Sequence, residues 1–384
     1  MKVLITTDCY IPTVNGVVTS IINLKNVLSR LGHDVRILCP SQNLHCIKTE
    51  NIYYMSSFSV NKIYPKARAA FYIRYSVMKS IIEWKPDIIH SQCEFTSFMF
   101  AQKIARTVNC PIVHTYHTVY ENYTHYFSPN ITIGKKAVSA FSRKILNKTE
   151  SVIAPTKKIE NLLKGYGVSK KINIVPTGIN INKFRNKLSD MEKFKLKSKL
   201  GIPKNSNVLI SVGRVAKEKN IEELLYYYKR LNMKNTVFLI VGGGPYKEEL
   251  ERLADKLEIS ENVIFAGMIN PENIAAYYQI GNVFLSASNS ETQGLTYIEA
   301  LASGLPAICK KDPCLDGVIC HNENGFQYAD YDTFADCVKR LISNKTIYSQ
   351  ISKKASFSAE KYSEEDFGKN IEKIYINTVM EYKK

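Results

Sequence analysis

Short apolar runs recur along the chain with helical stretches between them, and this alternation constrains the fold more than any other feature. Val3-Leu4-Ile5-Thr6-Thr7 is the first run, Asp8 to Asn15 is a loop, and Val17 to Leu31 carries apolar residues at helical spacing. Gly32 stops that helix and Asp34 to Cys39 is the next run. Strand, helix, strand in this order is the building block of a doubly wound parallel sheet. Asp87 to His90, Ile112 to Thr115, Ser151 to Pro155 and Ile172 to Pro176 continue the series, and Pro176-Thr177-Gly178 reads as a linker. A second series begins after a lysine-rich surface helix around Asp190 to Leu200. Its strands are Asn207 to Val212, Thr236 to Val241, Val263 to Ala266, Asn282 to Ser286 and Pro306 to Cys309. Helices from Tyr331 to Ser343 and from Glu364 onwards finish the chain. The expected fold class is α/β, with two Rossmann-like doubly wound domains whose ligand loops face a cleft.

A chain of 384 residues with 45% hydrophobic content has room for two such cores. No run of about 18 apolar residues exists, so no membrane-spanning helix is expected. Met1 to Thr7 enters a strand without a basic region and cleavage site, so no signal peptide is expected either. Nine cysteines form no CxxC pair, and no histidine pair near Cys309, Cys314 and Cys320 completes a zinc pattern. Reduced thiols in the cytoplasm follow from that usage, and the four Asn-x-Thr sequons at Asn122, Asn130, Asn147 and Asn344 are then chance.

Charge is unevenly placed. Of 52 Lys+Arg and 35 Asp+Glu, residues 1–177 hold 23 and 9, a surplus of +14 that leaves +3 for the rest. Loading one half in this way points to a polyanionic partner, nucleic acid or an anionic membrane surface, although solvated lysines without a partner give the same count. Lys62 to Lys85 mixes Lys62, Lys66, Arg68, Arg74 and Lys79 with Tyr64, Phe71, Tyr72, Tyr75 and Met78. On a helix, that mixture fits an interfacial segment and an ordinary surface helix equally. Lys135, Lys136, Arg143, Lys144 and Lys148 make a second basic face.

The stretch from Ser288 to Gly304 carries the chemistry. It reads as a strand end, a polar turn and an amphipathic helix stopped by Gly304 and Pro306. Gly294 sits before the helix, whose first amides suit phosphate and sugar oxygens. Glu291 lies in the turn and Glu299 eight residues on in the helix, so both can face one pocket; a helix cap with a solvated glutamate is the plainer alternative. Arg214 and Lys219 follow the strand at 207–212 and could neutralise a diphosphate. The turn Gly242-Gly243-Gly244-Pro245 offers backbone room for a ligand, and with Gly267-Met268 suits a nucleobase edge. His117 lies just past a strand end, where open α/β sheets place ligands, and Gly16 opens a helix to an anion without a GxGxxG fingerprint. Asp330-Tyr331-Asp332 spells a DxD, but it precedes a helix and is read as a cap, so no metal site is expected.

Glu291 and Glu299 at this spacing, Gly213-Arg214 with Lys219, the Gly16 loop and Tyr116-His117-Thr118 together resemble glycosyltransferase family 4, retaining enzymes of the GT-B fold. The likeness covers essentially the whole chain. It implies that Arg214 and Lys219 hold the donor diphosphate and Glu299 the ribose. Glu291 with Gly294, Leu295 and Thr296 would hold the donor sugar, Gly16 would meet the phosphate or acceptor, and His117 would contact the sugar. It also implies that the last helix, from about 360 to 384, returns to the N-terminal domain. The domains are then 1–177 with that helix, facing acceptor and membrane, and 178–359, binding the nucleotide sugar. Gln293 departs from the family, which often has a bulky apolar residue there, so how the sugar's hydroxyls are read is open.

Ser290 to Tyr297 and His117 to Tyr126 further resemble the diacylglycerol glucosyltransferases of low-GC bacteria, peripheral membrane enzymes that make glucosyl-diacylglycerol. That resemblance implies a hexose, glucose in the first instance, carried from a UDP-sugar to a lipid acceptor at the inner face of the cell membrane. Transfer would occur on the face the phosphate leaves, with the departing diphosphate taking the acceptor's proton and with no metal or other cofactor. Relatives acting on polysaccharide or cell-wall precursors and a sugar-nucleotide epimerase are the competing enzyme readings. A nucleic-acid-binding protein is the non-enzyme reading, against which the chain carries no RNA- or DNA-reading motif.

Overall fold

The computed structural model describes residues 1–42, 48–59, 68–121, 124 and 130–384. The chain forms two compact units, Met1–Gly178 with Glu364–Lys384, and Ile179–Ser363.

Among the described residues the first unit is built on eight strands: β1 Lys2–Thr6, β2 Asp34–Pro40, β3 Ile52–Ser59, β4 Arg68–Tyr72, β5 Ile88–Ser91, β6 Ile112–Thr115, β7 Ser151–Ala154 and β8 Lys171–Ile174. They lie in the order β4-β3-β2-β1-β5-β6-β7-β8. Among the described strands of this sheet only β4 runs antiparallel to its neighbour. β1, β5, β6 and β7 are buried along almost their whole length, as strands covered on both faces must be. Helices α1 Gly16–Arg30, α2 Tyr75–Trp84, α3 Thr96–Val108, α4 Ile131–Leu146 and α5 Lys157–Gly165 make the crossovers. Asn15 caps α1 by accepting the Val18 amide at 2.9 Å, and Val18, Ile21, Leu24 and Leu28 form its buried stripe.

The C-terminal helix Glu364–Tyr382 belongs to this unit through named contacts with α1. Gly368 allows the approach, since a Cβ there would lie 2.5 Å from a methyl of Val27. Arg30 donates to Glu364 at 2.8 Å, and His33 meets Glu372 at 2.8 Å. The return begins at Glu364 and not at about 360, because the Ile179 amide donates to the Tyr362 carbonyl and Ile179 bridges Ser363.

The second unit holds β9 Asn207–Val212, β10 Thr236–Val241, β11 Val263–Gly267, β12 Val283–Ser286, β13 Ala307–Lys310 and β14 Gly325–Tyr328. Its helices are α6 Ile181–Arg185, α7 Asp190–Lys199, α8 Ile221–Leu231, α9 Lys247–Lys256, α10 Ile274–Ile280, α11 Leu295–Ala302, α12 Tyr331–Ser343 and α13 Lys345–Ser358. The helix at the C-terminus is α14. The strand order is β11-β10-β9-β12-β13-β14 with parallel pairing throughout. Cores on both faces fill it, one containing Ile210, Tyr278, Phe284 and Tyr297, the other Leu209, Phe238, Leu285 and Phe334. In such a sheet the order reverses between β9 and β12, and the crevice past their carboxyl ends is where ligands bind.

One segment differs from expectation. Residues 68–72 form the edge strand β4 and only Tyr75–Trp84 is helical. Phe71 and Tyr72 are β-forming residues whose exposed side chains mimic one half of an amphipathic helix pattern. Lys62, Tyr64 and Lys66 lie outside the described residues.

Candidate active site

Two loops of the second unit meet at the β9/β12 reversal. The loop after β9 turns at Gly213, whose φ of +145° suits glycine, passes Arg214 and makes a 3-10 turn over Lys217–Lys219 before α8. The loop after β12 ends at Gly294, at φ 76° and ψ 74°, which opens α11. Gly294 also leaves no room for a Cβ, which would sit 2.4 Å from the ring of the buried Tyr297. That ring is held by its hydroxyl, 3.1 Å from Ser286 Oγ.

The loops are latched to each other. Lys219 Nζ donates to Glu291 Oε1 at 2.5 Å, and Ser290 Oγ donates to the Glu218 carbonyl at 3.3 Å. Both partners of the ion pair keep some solvent contact, 26% for Lys219 and 15% for Glu291, so a ligand can reach them. Glu291, the first amides of α11 at Leu295 and Thr296, and Lys219 therefore converge at one end of that helix. Arg214, half-buried, lies on the same loop as Lys219.

Glu299 lies on α11 with part of its surface exposed. Its Oε2 accepts from the hydroxyl of buried Tyr278 at 2.7 Å. Burial pushes the Glu299 carboxyl up to about 7, against the opposing effects of the Tyr278 hydroxyl and the Lys183 charge.

The loops after β9, β10 and β11 are packed backbone to backbone. Gly213 donates to the Val241 carbonyl at 2.9 Å, Val215 to Gly243 at 3.0 Å and Gly242 to Gly267 at 2.9 Å. A Cβ at Gly242 would lie 1.8 Å from the Gly213 carbonyl oxygen, and one at Gly244 would lie 2.0 Å from that of Val215. These two glycines thus serve the approach of neighbouring loops and not that of a ligand. A Cβ added at Gly243 would lie 3.4 Å from Met268 Cε, and Met268 is 61% exposed.

Gly16 and His117 belong to the first unit. Gly16 is the first residue of α1, exposed and without a positive φ. His117 follows β6, and its Nε2 lies 2.6 Å from Gln92 Oε1. Burial, reinforced by His114, drives its imidazole down to about 3, so it is neutral at physiological pH. Gln92 itself is buried just past β5, at the reversal between β1 and β5. Gln92 and Tyr278 were not among the residues singled out from sequence; the strand-end rule that marks His117 also marks the first, and no local pattern marks the second. Of the stretch that followed His117, Asn122, Tyr123, His125 and Tyr126 lie outside the described residues.

Asp330 caps α12: its Oδ1 accepts the Thr333 amide at 2.9 Å, and that bond holds its carboxyl below the usual carboxylate range. Among the described residues no group of three or more His, Cys, Asp or Glu is placed to hold a metal ion. Asp330→Ala is expected to lower the melting temperature modestly and leave sugar transfer within about twofold of normal, because an N-cap stabilises only its own helix. Parallel melting curves and rate measurements check this; a collapse of the rate with an unchanged melt would contradict it.

Two α/β units, the second with a Lys–Glu pair and a helix N-terminus past its β9/β12 reversal, define the class of GT-B glycosyltransferases. The chain belongs to the family 4 (group 1) glycosyltransferases. The family model described as Glycosyltransferase Family 4 matches residues 14–183 and that described as Glycosyl transferases group 1 matches residues 192–357. The chain is 36% identical over 385 residues to the alpha-monoglucosyldiacylglycerol synthase of Streptococcus pneumoniae, covering 99% of this chain and 86% of that protein. It is 32% identical over 391 residues to the protein of the same name from Acholeplasma laidlawii, covering 99% and 98%. Its fold matches sucrose-phosphate synthase from Thermosynechococcus elongatus with a TM-score of 0.78 at 18% identity, covering 98% of each chain. It matches Anabaena HepE, solved with UDP and glucose, with a TM-score of 0.77 at 16% identity, covering 98% of this chain and 100% of that one. The protein is a glycosyltransferase of the GT-B fold.

Proposed function

We propose that the protein transfers glucose from UDP-glucose to 1,2-diacylglycerol, with retention of configuration, at the inner face of the cell membrane. The observation that carries this reading is the similarity, over 99% of the chain, to two proteins named alpha-monoglucosyldiacylglycerol synthase. In the reaction, the acceptor oxygen forms a bond to the anomeric carbon on the face from which the diphosphate departs. The bond from that carbon to the β-phosphate oxygen breaks, and the acceptor proton passes to the departing diphosphate. Arg214 and Lys219 stabilise the charge growing on that group, the electrostatic contribution that usually dominates. Glu299 accepts from the ribose, Met268 and the Gly243 backbone meet the base, and Glu291 with the amides at Gly294, Leu295 and Thr296 holds the sugar. His117, neutral, contacts the sugar through a hydrogen bond, and Gly16 meets the phosphate or the acceptor. No metal takes part.

The first unit offers a lipid surface. On α4, Gly134, Val138, Ser142 and Leu146 face inward, leaving Lys135, Lys136, Arg143 and Lys144 exposed beside Ile131, Ile133 and Phe141. Phe95 stacks on Phe141 at 5.6 Å, extending the apolar part. Each cation near an anionic leaflet contributes about 1 kcal/mol. Lys136→Glu with Lys144→Glu is therefore expected to weaken binding to vesicles containing phosphatidylglycerol by more than about tenfold, read by co-sedimentation. Equal pelleting of the variant, or equal binding to neutral vesicles, would contradict the surface assignment.

The whole reading is tested with purified protein, labelled UDP-glucose and diacylglycerol in anionic micelles, followed by chromatography of the lipid. A labelled glycolipid that forms equally in EDTA is the expected product. Label that stays in water with this acceptor would overturn the reading, and a reversible loss of product in EDTA would overturn the metal-free mechanism.

A further inference from the structure

We infer that Tyr278 is a positioning residue for donor binding, holding the Glu299 carboxylate in the orientation that accepts the ribose hydroxyls. This rests on the donor-site reading above. Tyr278 is a fully buried residue of α10, fixed by edge contact with Phe184 at 5.8 Å and a tilted contact with Phe284 at 6.1 Å. A ring packed on both sides has one orientation, so its hydroxyl is carried to a set place. That place is 2.7 Å from Glu299 Oε2 and 3.4 Å from the Thr296 carbonyl.

A glutamate has three rotatable side-chain bonds, and on a short helix nothing in its own element stops it from swinging. The Tyr278 hydroxyl donates to one lone pair of Oε2. The other lone pair, and both of Oε1, are left for a diol. The hydroxyl also does electrostatic work, because a donor to the charged form favours ionisation. Lys183 of α6 acts in the same direction, but its ammonium is bonded to the Pro271 carbonyl at 2.5 Å and works at a distance. On α11 itself the other titratable group is Tyr297, whose hydroxyl is turned to Ser286. Ser352 of α13, which meets the Gly304 carbonyl, is neutral. Tyr278 is thus the group in direct contact that opposes the burial of the carboxylate.

The sign of the pH dependence follows. Burial raises the Glu299 carboxyl to about 7, and a diol that donates to the carboxylate binds the ionised form better, so donor affinity rises as pH rises through that value. Tyr278→Phe keeps the ring and removes the donor, which moves the midpoint to higher pH. Calorimetric titration with UDP-glucose, whose own diphosphate does not ionise near neutrality, reads this in the full-length protein between pH 5.5 and 9. Tyr278→Phe is expected to bind roughly tenfold more weakly than the unsubstituted protein at pH 7 and to recover most of the difference at pH 9. Glu299→Gln is expected to bind weakly with a flat profile. A purely structural role for Tyr278 would lower affinity by the same factor at every pH, and that result, or an unshifted midpoint, overturns the inference while the donor site stands. Failure of the unsubstituted protein to bind UDP-glucose, or undiminished binding by Glu299→Gln, overturns the donor reading and this inference together.

Discussion

Arg214→Ala is expected to lower the rate of sugar transfer at least about thirtyfold with little change in melting temperature. The figure corresponds to roughly 2 kcal/mol, the loss of one charge-assisted contact to a group that gains negative charge as the bond breaks. Arg214 stands one residue past Gly213 on the loop that ends β9, at the reversal of the second sheet, and is half-buried there. A planar guanidinium in that place can grip two phosphate oxygens at once, which a lysine cannot, so Arg214→Lys should recover only part of the rate. The loop is held by its backbone, through the bonds Gly213 and Val215 make to the Val241 and Gly243 carbonyls, so truncating the side chain leaves the fold intact. Steady-state rates set beside thermal melts decide the matter. Near-normal turnover in a folded Arg214→Ala protein would show that the diphosphate is held elsewhere.

Gly242→Ala is expected to produce the largest loss of stability of any single methyl group added near the site. Its φ of +140° is a conformation L residues rarely adopt, and the added carbon would lie 1.8 Å from the Gly213 carbonyl oxygen, a backbone atom that no rotamer change can move. Strain and overpacking of this kind each cost about 1–3 kcal/mol, and here they add. For a unit of this size the melting temperature should fall by roughly 4–24 °C. Because the displaced atom belongs to the loop carrying Arg214 and Lys219, transfer should fall even in the fraction that stays folded. Gly267→Ala is the control: Gly267 has a positive φ of +73° but open space where a Cβ would stand, so it should be far milder. Equal melting temperatures for the two variants would refute the backbone-contact argument.

The alternation of strand and helix was legible because each unit buries its strands on both faces, which leaves near-continuous apolar runs such as Val208 to Ile210 and Phe238 to Val241. Three strands escaped. β4 exposes Phe71 and Tyr72, so its pattern mimics a helix; β3 carries serines at Ser56, Ser57 and Ser59; and β14, Gly325–Tyr328, opens on a glycine and is broken by the polar Gln327, so it leaves no apolar run. Arg214, Lys219 and Glu291 could be picked out because each lies on a loop that follows a strand end, which is recognisable in sequence, and Glu299 because it stands eight residues after Glu291 in the helix that follows. The Lys219–Glu291 bond joins residues 72 apart and the Tyr278–Glu299 bond residues 21 apart, and neither separation leaves a periodic trace. Gly242 and Gly244 show the opposite error: glycines next to a strand end suggest room for a ligand, while the structure fills that room with the neighbouring loop.

Lys219 and Glu291 form the latch between the loops after β9 and β12, which we propose grip the donor, and the rate of transfer from UDP-glucose in Lys219→Met, Glu291→Gln and the double variant tests this most directly. Each single change should cost more than about thirtyfold, and the double variant should be little worse than the poorer single one, since residues that act as a unit are strongly non-additive. Losses that multiply in the double variant, or single variants that turn over at the normal rate, would contradict it.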